Sequence, residues 1–149
     1  VIAVILFYAG FQIDRIGDVI EFGSFSIFLT VFWIVGITNS INLVDGIDGL
    51  ACGLILLSCV TLSFVYLERD MVEASFLAVI LTGSVLGFLF FNFPPAKIIL
   101  GDTGSLPLGL LISLITLLPL SQKHTDEIYY LIPIITLLIP ILDTIVVFF

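Results

Sequence analysis

Polar positions in this 149-residue chain are confined to short intervals between long apolar runs. Five runs are continuous enough to cross a bilayer: residues 24–41, 49–67, 71–93, 105–120 and 128–149. Residues 1–9 read as the tail of a sixth. A helical span needs about 20 predominantly apolar residues. None of the runs keeps the period-two alternation of a membrane β-barrel strand. Inside lipid every backbone N–H and C=O must be paired within the segment, which leaves the α-helix. The pattern predicts an all-α, polytopic transmembrane bundle, with about five full spans plus the end of a sixth. Residues 1–149 read as one membrane-embedded domain.

Five connections separate the runs: 10–23, 39–49, 68–71, 92–104 and 121–127. The first carries FQIDRIGDVIEF between Gly10 and Gly23, and its alternation around Gly17 has the form of a small hairpin. Glu68–Asp70 is a tight charged turn, and SQKHTDE at 121–127 is solvated. If each run crosses once, the second and fourth connections emerge on one face and the other three on the opposite face. The two connections richest in amides and carboxylates therefore share a face, far apart though they are in sequence.

Composition agrees with this and narrows the function. The chain is 60% hydrophobic and 11% charged, with a mean hydropathy of +1.34. A soluble domain carries roughly 25% charged residues. The net charge of -8 resides mostly in the connections, and four Lys and Arg are too few for the basic stripe of a nucleic-acid binder. Basic residues normally gather on the cytoplasmic side. Here Arg15, Arg69 and Lys123 lie opposite the polar motifs and only Lys97 lies with them, so that count alone places the motifs outside. Cys52 and Cys59 are seven apart in one run, share a helix face and read as small core residues. Val1 and Phe149 both fall within apolar runs, and no signal-peptide pattern is present. The expectation is an internal piece of a longer membrane protein.

The candidate chemistry lies in two clusters. In TNSINLVDGIDGLA (38–51), Asn39, Asn42, Asp45 and Asp48 follow one another at intervals of three. A carboxylate at the centre of a membrane helix costs about 2.5–3.5 kcal/mol or more, so such groups face a bundle interior or an aqueous cavity. Asp-Gly is a turn signal. The segment reads as a helix with Asn39 and Asn42 near its last turn, a loosening at DGIDG, and a new helix from about Leu50 whose free N–H groups Asp48 would cap. A plain interhelical turn with a cap accounts for Asp48, but less well for all four residues. The second cluster, FNFPPAKIILGDTGS, holds Asn92, Lys97, Asp102, Thr103 and Ser105. Its Gly-Asp-Thr-Gly precedes an apolar helix, whose N-terminus favours an anion. One carboxylate with phosphate oxygens is a common way to hold Mg²⁺, and Lys97 would meet a phosphate as a point charge. A capped turn with Lys97 snorkelling is the plainer alternative. The stretch is not a P-loop, because the Lys-Ser/Thr pair after the glycines is missing. Asp143, three residues beyond Pro140, reads as support on the motif side; His124, in the fifth connection, reads as a solvated loop residue.

These residues resemble the polyprenyl-phosphate sugar-1-phosphate transferases, glycosyltransferase family 4. The superfamily includes the phospho-MurNAc-pentapeptide translocase and the GlcNAc-1-phosphate transferases that begin teichoic acid and O-antigen. The stretches carrying the resemblance are GITNSINLVDGIDGLA (36–51), FNFPPAKIILGDTGSLPLG (91–109) and IPILDT (139–144), in the family's order and spacing. Val44 before the first Asp-Gly, and Asp143 in IPILDT, resemble the GlcNAc branch more than the translocase. The resemblance implies a multi-pass protein of the bacterial inner membrane with connections 39–49 and 92–104 cytoplasmic. It implies Mg²⁺ as cofactor, with Mn²⁺ as its substitute, and transfer of a sugar 1-phosphate from UDP-GlcNAc or a related UDP-sugar to undecaprenyl phosphate, releasing UMP. By the same resemblance Asp102 is the metal ligand; Asp102, Asp45 and Asp48 are the catalytic set; and Asn39, Asn42, Asp45, Gly46, Asp48, Asn92 and Lys97 bind substrate. Ser40 and Leu100 depart mildly from the family's usual Ala and Met. The family's acidic pair and His-rich motif are not in these residues, so the 149 residues alone are expected to be inactive. The alternatives are the MurNAc-pentapeptide translocase and, from another class, a cation-coupled transporter, which would hold its acids near mid-membrane rather than at helix ends.

Overall fold

The computed structural model describes residues 1–16, 20–121 and 128–148. Among these the chain forms α1 (Ile2–Tyr8), α2 (Ser26–Val44), α3 (Leu50–Glu68), α4 (Val72–Asn92), α5 (Gly101–Leu117), α6 (Ile128–Thr136) and α7 (Leu138–Phe148). Two short strands, β1 (Arg15–Ile16) and β2 (Ile20–Glu21), pair antiparallel with Arg15 opposite Glu21 and Ile16 opposite Ile20. This is the hairpin expected around Gly17, whose connecting residues 17–19 lie outside the described residues. The helical bundle is the architecture that the apolar runs predict.

Two runs are built differently from the expectation. Among the described residues, three helical segments are long and apolar enough to cross a membrane: Gly23–Val44, Leu50–Glu68 and Val72–Asn92. α5 has 17 residues and starts at Gly101, so the Gly-Asp-Thr-Gly stretch forms its first turn rather than a loop before it. The last run is not one span but two helices meeting at Leu137. Pro140 explains the break. It has no N–H to give the carbonyl of Thr136 four residues back, and its ring crowds that carbonyl. The freed carbonyl instead accepts the Ser58 hydroxyl of α3 at 2.9 Å.

α3 and α4 form a helical hairpin turned at Arg69–Met71. α3 buries Cys52, Ile55, Cys59, Leu62 and Tyr66 as one stripe, and the Ser75 hydroxyl of α4 donates to the carbonyl of Ser63 at 2.8 Å. Both cysteines are free and fully buried, as small core residues. α2 and α5 form a second antiparallel pair. Trp33 Nε1 donates to Thr116 Oγ1 at 3.0 Å at one end of this seam. In the middle, a Cβ added at Gly109 would stand 2.8 Å from Thr38 Cα and 3.1 Å from its carbonyl oxygen. Backbones approach this closely only where a side chain is missing. The other end of the seam is Asn42 against Asp102 and Ser105.

Candidate active site

α2 stops at Val44, where Asp-Gly-Ile-Asp-Gly cannot sustain a helix. The chain turns at residues 45–49 and re-enters at α3 through Gly49 at φ 75°. α4 stops at Asn92 because Phe93 precedes Pro94 and is driven to an extended backbone (φ -65°, ψ 140°). Residues 93–100 then fold back: the N–H groups of Lys97 and Ile98 both donate to the Phe91 carbonyl, at 2.8 and 3.2 Å. The two connections predicted to share a face meet here.

Four hydrogen-bonded links join them. The Asn42 amide donates both of its protons, to Asp102 Oδ1 and Ser105 Oγ, each at 2.8 Å. The Gly101 N–H donates to the Asp45 carboxylate. The Ala96 N–H donates to Asp48 Oδ2 at 3.0 Å. The Gly49 N–H donates to Asn92 Oδ1 at 3.0 Å, while Asn92 Nδ2 donates to the Ile98 carbonyl at 3.0 Å. Asp48 therefore does not cap α3, whose N-cap is Gly49 with no side-chain bond. Its carboxylate goes to the 93–100 loop instead.

Asp102 is exposed in the first turn of α5, and Asp45 is half-buried beside it. Burial pushes the Asp45 carboxyl above its ordinary 3.8; the Gly101 N–H pulls it back, and the Asp102 charge adds a further upward push. The two carboxylates thus repel one another, an arrangement that a cation relieves. No third carboxylate, His or Cys completes a metal cluster among the described residues.

The other expected residues are distributed around this pair. Gly46, Asp48 and Lys97 are exposed on the same face. Asn39 is exposed one turn below Asn42, and both line an apolar groove of about 1360 Å³ along α2. Phe28, Phe32 and Val35 form one wall of it and Ile141, Thr144 and Ile145 of α7 contribute the other. Asp143 is exposed on α7. Asn92 is 2% exposed, behind the site rather than at its surface. His124 lies outside the described residues. The contributors that residue types alone leave without a role are Ser105, fully buried under Asn42, and the main-chain N–H groups of Gly49, Ala96 and Gly101.

The family model for glycosyl transferase family 4 matches residues 1–119, the larger part of the chain and both motif stretches. The chain belongs to that family. It is 47% identical over 134 residues to the "Probable undecaprenyl-phosphate N-acetylglucosaminyl 1-phosphate transferase" of Bacillus subtilis (strain 168), covering 90% of this chain and 37% of the relative. It is 39% identical over 113 residues to the phospho-N-acetylmuramoyl-pentapeptide-transferase of Streptococcus uberis, covering 76% and 33%. The enzyme of that name from Latilactobacillus sakei is 38% identical over 109 residues, covering 70% and 34%. The chain thus spans about a third of the length of the relatives it matches. With these relatives and its long apolar helices, this member of the family is a multi-pass membrane protein.

Proposed function

We propose that the protein transfers a sugar 1-phosphate, GlcNAc 1-phosphate in the first instance, from a UDP-sugar to undecaprenyl phosphate with release of UMP. The observation that carries this is the meeting of the Asp45–Asp102 pair with the apolar groove at Asn39 and Asn42. A polar site opening onto a membrane-depth groove suits a reaction between a water-soluble nucleotide and a lipid phosphate. GlcNAc is favoured over MurNAc-pentapeptide by the 47% identity over 90% of the chain, against 39% over 76%. The pentapeptide transferase remains the second reading, supported by those same relatives.

The net chemistry joins a lipid-phosphate oxygen to the sugar-bearing phosphorus and breaks the bond to UMP. Both reactants are anions, and the residues present fit a Mg²⁺ site: one carboxylate, Asp102, exposed to solvent, and a second, Asp45, near it. Bound there, Mg²⁺ would offset the charge that accumulates as the phosphates meet. The Asn42 amide fixes the rotamer of Asp102 by holding one oxygen, and leaves its own carbonyl free. Lys97, exposed on the same face, attracts and orients phosphate. Asn39, at the groove, is placed to donate to the acceptor's phosphate. The face carrying residues 45–49 and 93–100 is the cytoplasmic one in this reading, since nucleotide sugars are made there.

The test uses the full-length protein in membranes, with radiolabelled UDP-GlcNAc and undecaprenyl phosphate. Label should enter the lipid phase only with a divalent cation present, and Asp102→Asn should abolish it while expression persists. Label from UDP-MurNAc-pentapeptide alone would move the assignment to the second reading. No lipid-linked product from either donor would remove it.

A further inference from the structure

We infer that Asn92 is a positioning residue: seated at the end of α4, it holds the 45–49 turn and the 93–100 loop in register and so sets how Asp45 and Asp102 stand to one another. Its effect on transfer rests on the function proposed above; the joint itself does not.

The residue is 2% exposed, packed beneath the two loops rather than at the rim. Both ends of its amide are engaged, and by main chain. Oδ1 takes the Gly49 N–H, the last donor of the turn that begins at Asp45, and Nδ2 gives to the Ile98 carbonyl, three residues before Gly101. One planar amide therefore ties the two loops from beneath, while Asp48 and the Ala96 N–H tie them at the exposed rim. Gly49 shows how tightly they are drawn together. At φ 75° it lies where a side chain is strained, and an added Cβ would stand 3.3 Å from Pro94 Cδ and 3.5 Å from the Asn92 carbonyl oxygen. Asp45 lies four residues before Gly49, and Gly101, whose N–H meets Asp45, lies three after Ile98. Displacement at the amide thus reaches the carboxylate pair through short, already folded segments. A side-chain amide supplies an acceptor for Gly49 at one atom and a donor for Ile98 at another, without charge.

The experiment uses the full-length protein. Steady-state transfer from UDP-GlcNAc is measured for wild type, Asn92→Ala, Asn92→Asp and Gly49→Ala. Amide hydrogen exchange of peptides spanning 45–50 and 94–101 is followed without substrate. Misplacing reacting groups by about 1 Å can cost about 10²-fold in rate. Asn92→Ala should therefore lower kcat by about 10- to 100-fold, with KM for UDP-GlcNAc changed by less than about threefold, the pattern of lost transition-state alignment rather than lost binding. Asn92→Asp keeps the acceptor for Gly49 and should recover part of the rate. Gly49→Ala, acting from the other side of the joint, should repeat the kcat loss. Exchange should accelerate in both peptides, not one. A KM raised about tenfold at unchanged kcat in Asn92→Ala would make Asn92 a substrate contact and overturn the inference. Wild-type exchange in both peptides would overturn it too. Should Asn92→Ala not accumulate, Asn92→Asp and Gly49→Ala decide by the same readouts. If wild type transfers nothing, the proposed function falls, and the exchange data still decide the joint.

Discussion

Asp45 and Asp102 are held in a relationship that costs the fold something. The Asp45 carboxyl is raised above 3.8 by burial and by Asp102, against the Gly101 N–H. Between 3.8 and the raised value the folded state binds more protons than the unfolded one, so stability falls as pH rises through that window and is lowest above it. Asp102→Asn removes part of the repulsion and still offers an oxygen to the Asn42 amide. Without divalent cation, its melting midpoint should exceed that of wild type at neutral pH and match it below 3.8, even though transfer is lost. Scanning fluorimetry at the two pH values checks this; a lower neutral midpoint would mean that the pair stabilises the fold. The DGIDG turn and the acid in the first turn of α5 were legible because Asp-Gly and Gly-Asp-Thr-Gly are local signals. The role of Asn92 was not, because its partners are main-chain atoms of two loops, one of them 43 residues away.

At the scale of elements, the site depends on how close α2 comes to α5. Gly109 sits between Trp33–Thr116 and Asn42–Ser105, against the Thr38 backbone. Gly109→Ala should separate the helices, destabilise the protein by about 1–3 kcal/mol and open the Asn42–Asp102 contact, with transfer falling further than stability. Gly53→Ala, where nothing lies within 4 Å, is the control and should be silent. The α3–α6 joint makes a second case. Ser58→Ala leaves the Thr136 carbonyl without its donor and should cost about 0.5–2 kcal/mol. Pro140→Ala restores a helical donor to that carbonyl, so the Ser58 substitution should cost less in its background, as a double-mutant cycle on unfolding would register. Hydrophobic runs located these helices but misplaced two boundaries. α5 begins four residues before its run because Gly101–Gly104 are helical though not apolar, and the last run breaks at Leu137 because a proline acts on the carbonyl four residues before it.

Over the whole molecule, the sequence places connections 39–49 and 92–104 on one face by counting crossings, and the hydrogen bonds between them bear that out. Labelling should find the same arrangement in a membrane. Cysteines introduced at the exposed positions Ile47 and Ile99 should react with an impermeant maleimide from one side, and one at Ile20, on the β1–β2 hairpin, from the other. Native Cys52 and Cys59 are fully buried and should give little background. Reaction of 47 and 99 from opposite sides would break the arrangement. The chain that such labels probe spans 37% of the length of its Bacillus subtilis relative and 33% of the Streptococcus uberis one.

The joint between the loops is donated largely by main chain: the N–H groups of Gly49, Ala96 and Gly101, with the Ile98 carbonyl as acceptor. This sets what evolution is free to rewrite. The methyl of Ala96 and the half-exposed side chain of Ile98 take no part in those bonds, so homologous enzymes can drift at both positions without losing the platform. Proline is the one residue that none of positions 49, 96 and 101 tolerates, since each substitution deletes a donor. A stretch whose side chains look expendable is thus constrained through its amide protons, a form of selection that residue identity alone hardly records.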